Sequence, residues 1–192
     1  MDTRHDRELL IRTINHHRHD WMNDLQVLFG YIQLNKQEKL RAYMDKLSDK
    51  LYRESLVSKL GNDRLIAYLF TFRTMGSGFE LIVQPGKEIH LSEYAELGDL
   101  AADSIISILE AYRAATMQKG GDPNELTLGW DLLGEAELRI DFEYSGGYDP
   151  QGWFKGIESV LERVKKSNAG FISYDMQDRT ADIEMRLQIH TK

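Results

Sequence analysis

The stretch "HHRHDWMNDLQVLFGYIQL", residues 16–34, lies in a run that contains no proline, and Gly30 is the one glycine between residues 3 and 35. Ile11, Ile14, Arg18, Trp21, Leu25, Leu28 and Ile32 recur at steps of three or four. That spacing predicts one stripe along a long helix. "NKQEK" (35–39) reads as a short connection, and Leu40, Met44, Leu47 and Leu51 continue as a second stripe on a helix over 40–59. Two amphipathic helices joined this tightly form an antiparallel hairpin. Such a hairpin has too little core to stand alone. Two copies packed as a four-helix bundle would bury both stripes, so a homodimer is expected.

"LGND" (60–63) breaks the pattern, with Gly61 as a helix end and Asn62 or Asp63 as the next N-cap. Helices are predicted over 64–75, 97–118 and 152–167, and strands over 79–85, 125–132, 136–144, 170–177 and 181–190. "KGGDPNE" (119–125), "LGE" and "DRT" supply turns. The fold class is therefore α+β. A helical hairpin over 1–60, for dimerisation and the candidate site, precedes an α/β domain over 61–192 in the order α-β-α-β-β-α-β-β.

The bulk properties narrow the function. The chain has 192 residues and a net charge of −7. Residues 1–60 carry 11 Lys+Arg against 9 Asp+Glu, whereas 61–192 carry 13 against 22. An acidic chain is not built for nucleic acid. There is no cysteine, hence no disulfide, thiol nucleophile or cysteine-held metal. No apolar stretch suits a membrane span, and "MDTRHDRELL" lacks the apolar core of a signal peptide. A cytoplasmic protein is the expectation.

Three readings compete for the histidines of "HHRHD": a phosphate-accepting nucleophile, a metal site, or a solvated helix face. Helical spacing puts Asn15, His16, His19, Met22, Asn23 and Gln26 on one face beside the stripe. His16, His19 and Asp20 have zinc-compatible spacing, but the second helix offers no histidine to complete a site. His16 and His17 read as solvated, and Trp21 as a core residue. Phosphoryl transfer to His19 would need a neutral imidazole nitrogen in line with the leaving oxygen, charge stabilisation and a metal ion. Asp20 is placed to hold the other ring nitrogen, Asn23 to bond the phosphoryl oxygens, and Arg18 to neutralise the transferred group. Arg18 also falls on the stripe, and whether it turns outward or pairs inside is open.

"RHDWMNDLQVLFGYIQL" (18–34) resembles the phospho-acceptor helix of the sporulation initiation phosphotransferase B family, whose signature is an Arg-His-Asp-Trp-Met-Asn run followed by Leu-Gln. The resemblance implies a dimeric four-helix bundle and a C-terminal domain like a histidine-kinase ATPase domain that has lost nucleotide binding. It implies that His19, flanked by Asp20 and Asn23, takes a phosphoryl group from the aspartate of one phosphorylated single-domain response regulator. The group then passes to a second response regulator, a transcription factor. Mg²⁺ comes with the partner regulator, and ATP is not expected.

A similar helix occurs in citrate- and dicarboxylate-sensing histidine kinases, so the motif alone does not separate a kinase from a phosphotransferase. The kinase would need an Asn-bearing helix and two glycine-rich loops. Helix "IISILEAYRAATM" (105–117) has Glu110 but no asparagine, and "DFEYSGGYDPQG" (141–152) has adjacent rather than alternating glycines, with Asp141 poorly placed. The stripe begins at Ile11, and no input domain is expected in the ten residues ahead of it. The rivals are a histidine kinase with a divergent ATP site and a dimeric scaffold that binds regulators without taking phosphate.

Overall fold

The computed structural model describes residues 3–117, 123–134 and 136–189. They divide into two compact units, Met1–Ser55 and Leu56–Lys192.

The first unit is a helical hairpin. α1 runs Thr3–Gln33 and α2 Gln37–Ser58. The connection is Leu34–Lys36, shorter than the predicted 35–39. Asn35 turns the chain at φ 50, a left-handed conformation that a short polar side chain tolerates. The N–H groups of Leu34 and Lys36 close the end of α1 onto Gly30 and Tyr31 carbonyls at 3.1 and 2.9 Å. Polar and aromatic contacts join the helices. Tyr43 Oη donates to Asp24 Oδ1 at 2.6 Å, Lys50 Nζ to Asp24 Oδ2 at 3.4 Å, and the Tyr31 and Tyr43 rings meet edge-on at 6.1 Å.

Among the described side chains of 3–55, Thr13 alone is buried. The α1 stripe faces away from α2: Ile11, Ile14 and Trp21 are 58, 58 and 59% exposed. Trp21, on that stripe, is therefore exposed in the single chain. Arg18 is exposed, which answers the open question about its direction.

The second unit begins five residues earlier than the expected boundary after 60. Leu56, Val57 and Leu60 are buried, and Val57 and Leu60 belong to the large apolar core. The apolar last turn of α2 thus folds with the second unit. α3 spans Asp63–Thr71, with Asn62 Oδ1 capping Leu65 N–H at 3.0 Å. Its predicted end at 75 is a 3-10 turn over Phe72–Met75 that stops at Gly76, where φ is 75.

Next come β1 (Glu80–Pro85), an unforeseen 3-10 turn at Leu91–Tyr94, α4 (Ala95–Ala115), β2 (Glu125–Leu133) and β3 (Glu137–Ser145). α5 (Pro150–Ser167), β4 (Gly170–Met176) and β5 (Thr180–Gln188) complete the fold. Asp149 Oδ1 caps α5 by accepting from Gln151 N–H at 3.1 Å, with Pro150 opening the helix. The element order is the predicted one, and the fold is α+β. Residues 119–122 of the predicted turn, Glu135 of "LGE" and His190 at the end of the predicted last strand lie outside the described residues.

The sheet order is β1-β2-β3-β5-β4; β1 and β2 are parallel and the other pairs antiparallel. Alternation sets the two faces. Leu138, Ile140, Phe142 and Tyr144 of β3, and Ala181, Ile183, Met185 and Leu187 of β5, are buried with α4 and α5. The residues between them are polar and point to the other face. Trp153 and Tyr112 are the largest fully buried side chains. Among the described residues, no helix is long and apolar enough to cross a membrane.

Candidate phospho-acceptor site

His19 lies mid-way along α1, clear of both helix ends, and its side chain is exposed. Continuous helical hydrogen bonding fixes the backbone there, so the ring direction is set by the side chain's own contact. Asn23, one turn later, supplies it: Asn23 Nδ2 is 3.2 Å from His19 Nδ1. That leaves Nε2 as the ring nitrogen directed away from the contact. Either end of a carboxamide can serve such a contact. Oδ1 would accept from an Nδ1–H tautomer and leave the lone pair on Nε2, whereas Nδ2 would donate to a bare Nδ1.

The expected division of labour differs from the observed one. Asn23 is the ring's hydrogen-bonding partner, the part the sequence reading gave to Asp20. Asp20 is half-buried, and its Oδ2 is 3.7 Å from His16 Nε2. His16 and His17 are half-buried rather than solvated, and His16 Nε2 is out of contact with solvent. The face predicted from spacing is therefore split. Asn15, His19, Met22, Asn23 and Gln26 are exposed, whereas His16 turns partly inward. Among the described residues, no three histidines or carboxylates converge in a way that could hold a metal ion.

Sequence reasoning missed the inner column of the hairpin. Asp24, one turn beyond Asp20, anchors both Tyr43 and Lys50 of α2. The hydrogen bond to the Asp24 carboxylate, with some help from burial, pushes the Tyr43 hydroxyl up to about 12. The available signal was an acid off the apolar stripe of α1 and a tyrosine and lysine seven apart on α2.

The residues examined as nucleotide ligands have other partners in the second unit. Glu110 accepts from Tyr68 Oη at 2.6 Å and pairs with Arg113 at 2.7 Å. Gly147 is enclosed in its own loop: its N–H donates to Asn124 Oδ1 at 2.8 Å, and its carbonyl accepts from Tyr144 Oη at 2.9 Å. A side chain at Gly146 would also collide with Asn124, which makes this a tight structural turn. Asp141 stands on the polar sheet face, paired with Arg139 at 2.9 Å. Between sheet and helices, Tyr112 lies in ring contact with Tyr144 and Trp153, at 5.3 and 5.6 Å.

Residues 1–60 match the family described as the alpha-helical domain of SpoOB-type sensor kinases. Among curated proteins, none matches the chain. Solved structures that align with it include the histidine kinase domain of the blue-light activated histidine kinase of Erythrobacter litoralis EL346. Identity there is 12%, covering 70% of this chain and 61% of that one, with a TM-score of 0.48. The Acinetobacter baumannii histidine kinase AdeS aligns at 13% identity over 90% of this chain and 98% of its own, TM-score 0.46. Histidine kinase ThkA in complex with the response regulator protein TrrA aligns at 12% identity over 98% and 64%, TM-score 0.43. The chain thus spans 61% of the length of the Erythrobacter chain.

The family match covers the hairpin, residues 1–60 of 192.

Proposed function

We propose that the protein is a phosphorelay phosphotransferase working through His19. The observation that carries this reading is an exposed imidazole with Nδ1 held by Asn23 in a SpoOB-type helix, which leaves Nε2 free to approach another protein. A phosphorylated single-domain response regulator docks beside α1 with its own Mg²⁺. With the Asn23 amide turned so that Oδ1, in place of Nδ2, accepts from Nδ1–H, the Nε2 lone pair attacks phosphorus in line. The P–N bond forms as the P–O bond to the regulator's aspartate breaks, and the aspartate leaves as carboxylate. Nδ1–H stays on the ring, bonded to Asn23. Arg18, exposed one residue away, adds positive charge near the incoming group. Asp20 helps hold this turn of α1 through its approach to His16. A second response regulator, a transcription factor, takes the group by the reverse chemistry.

Two copies complete the bundle. The exposed α1 stripe and the exposed Met44 and Leu51 of α2 form an apolar face too continuous for a stable monomer, and a second hairpin covers it. The second unit contributes docking or stability rather than ATP hydrolysis. Support comes from Glu110 and the Gly147 loop, whose polar groups are already bonded within the fold.

The test is incubation with a phosphorylated single-domain regulator. Acid-labile, base-stable label is expected on the wild-type chain and absent from His19→Ala. Label from ATP alone, without a regulator, would make the protein a kinase. Regulator-to-regulator transfer that survived His19→Ala would make it a scaffold.

A further inference from the structure

The two edges of the sheet are defended differently. β1 is six residues long and ends on Pro85. β4, "GFISYDM", is seven residues long, has no proline or lysine, and pairs with β5 without a bulge from Gly170↔Leu187 to Met176↔Ala181. An unbroken edge carrying exposed apolar side chains is a template for another strand. On β4, Phe171, Tyr174 and Met176 are 50, 43 and 39% exposed.

The ladder shows which main-chain groups are open. The Ala169 carbonyl accepts from Gln188 N–H at 2.6 Å, and Gln177 N–H donates to the Thr180 carbonyl at 2.8 Å. Main-chain groups alternate in direction along an antiparallel strand. The odd-numbered residues of β4 therefore pair with β5, while Ile172, Tyr174 and Met176 turn N–H and C=O to the outside. No described strand meets them there.

The two faces beside this edge differ in chemistry. On the helix side, the Tyr174 ring stands 6.1 Å from Trp153 and 5.7 Å from Phe154, a half-exposed aromatic ledge. On the other side, cross-strand register lines up Glu143, Asp182 and Asp175, with Asp141, Glu184 and Ser173 in the next row. These residues line a shallow cavity of about 380 Å³. Like charges directly across strands repel. Burial raises the Asp182 carboxyl above its ordinary range, and neighbouring Asp175 adds to this. A cationic neighbour would relieve the row.

We propose that the open edge of β4 takes up an extended segment of a partner protein as a sixth strand, and that this segment alternates basic with apolar residues. Its basic side chains meet Asp175, Asp182 and Glu143, its apolar ones lie on Tyr174 and Met176, and its backbone pairs with Ile172, Tyr174 and Met176. A second copy of this chain is a poor occupant, because its β4 would bring Asp175 and the same acidic rows against the first.

The test uses the full chain and a fluorescein-labelled decapeptide of alternating lysine and valine, read by anisotropy. Saturable binding is expected, together with slowed amide exchange at Ile172, Tyr174 and Met176. Met176→Pro removes an outward N–H and leaves the β4–β5 ladder intact, so it should weaken binding by about tenfold or more. Asp175→Lys should weaken it comparably, and both variants should keep the wild-type circular dichroism. Amide protection on the unsubstituted protein tests the proposal even if a variant misfolds. Absent binding or protection would overturn it. Equal affinity for a block peptide of five lysines then five valines would also do so, by reducing the effect to charge. Equal affinity for a glutamate–valine alternation would remove the acidic rows from it. Peptide-free assembly larger than a dimer that Met176→Pro abolishes would assign the edge to a second copy instead.

Discussion

The hairpin and the α+β unit both carry regularly spaced apolar residues, yet they use them in opposite ways. In the second unit Trp153, Tyr112, Phe142 and Leu128 are all but inaccessible. Over residues 3–55 of the hairpin, no apolar side chain with described burial is buried, and Phe29, Trp21 and Ile14 are more than half exposed. The difference shows that periodicity identifies a face but not what covers it. The sheet and helices of the second unit satisfy one another within one chain. The hairpin joins its two helices through Asp24, Tyr43 and Lys50 and leaves its apolar stripe for something else.

The largest test of this contrast separates chemistry from stability. His19→Ala should abolish phosphotransfer, a loss of at least about 10³-fold. Its thermal midpoint should stay close to wild type, since an exposed substitution is worth within about 0.5 kcal/mol. A large drop in midpoint would mean that His19 is a structural residue.

Trp153→Ala should destabilise the second unit by about 3–5 kcal/mol, the cost of emptying a buried indole site. Denaturant titration followed by circular dichroism measures it. Leu25→Lys should instead leave that transition unchanged and shift sedimentation from dimer toward monomer. Each copy would lose on the order of 2 kcal/mol of burial. If Leu25→Lys altered the unfolding of the second unit and left the association state untouched, the comparison between the two regions would be wrong.

A finer test concerns the polar link inside the hairpin. The Tyr43 hydroxyl is held at about 12, above its ordinary value of 10, so the folded state retains that proton more tightly. The stabilisation is complete below about pH 10 and is lost as pH rises through about 12. Tyr43→Phe should remove this alkaline dependence and cost about 1 kcal/mol at neutral pH. Helicity of the hairpin followed by circular dichroism from about pH 9 to about pH 12 is the measurement.

The smallest effect expected is a gain. Burial, with Asp175 adding to it, raises the Asp182 carboxyl, so its contribution is complete below its unfolded pKa and lost as pH rises through the folded one. At neutral pH the charge therefore costs stability. Asp182→Asn keeps an oxygen for Tyr144 N–H and should raise the neutral-pH midpoint slightly, with no gain at acid pH.

Much of the fold was legible in order, less in detail. The stripe from Ile11 to Ile32, the Asn62 cap and the alternation of β5 each carry a local signal, and each element stands within a few residues of its predicted place. The end of α2 was not legible, because Leu56 and Val57 continue the helix in sequence while packing into the following unit. The 3-10 end of α3 and the 3-10 turn at Leu91–Tyr94 arise from packing, which leaves no periodic trace. At the candidate site, spacing placed Asn23 one turn from His19 but could not decide which neighbour the ring would contact.

The sequence by itself determined the element types, their order, the exposed histidine beside an apolar stripe and the absence of thiol chemistry, because these follow from local spacing and composition. Only the tertiary structure decided that Asn23 holds His19, that Asp24 joins the two helices, and which edge of the sheet stays open. The first is a choice between neighbours within one helical turn that spacing leaves open; the other two depend on distances between residues far apart in the chain, which no local pattern encodes.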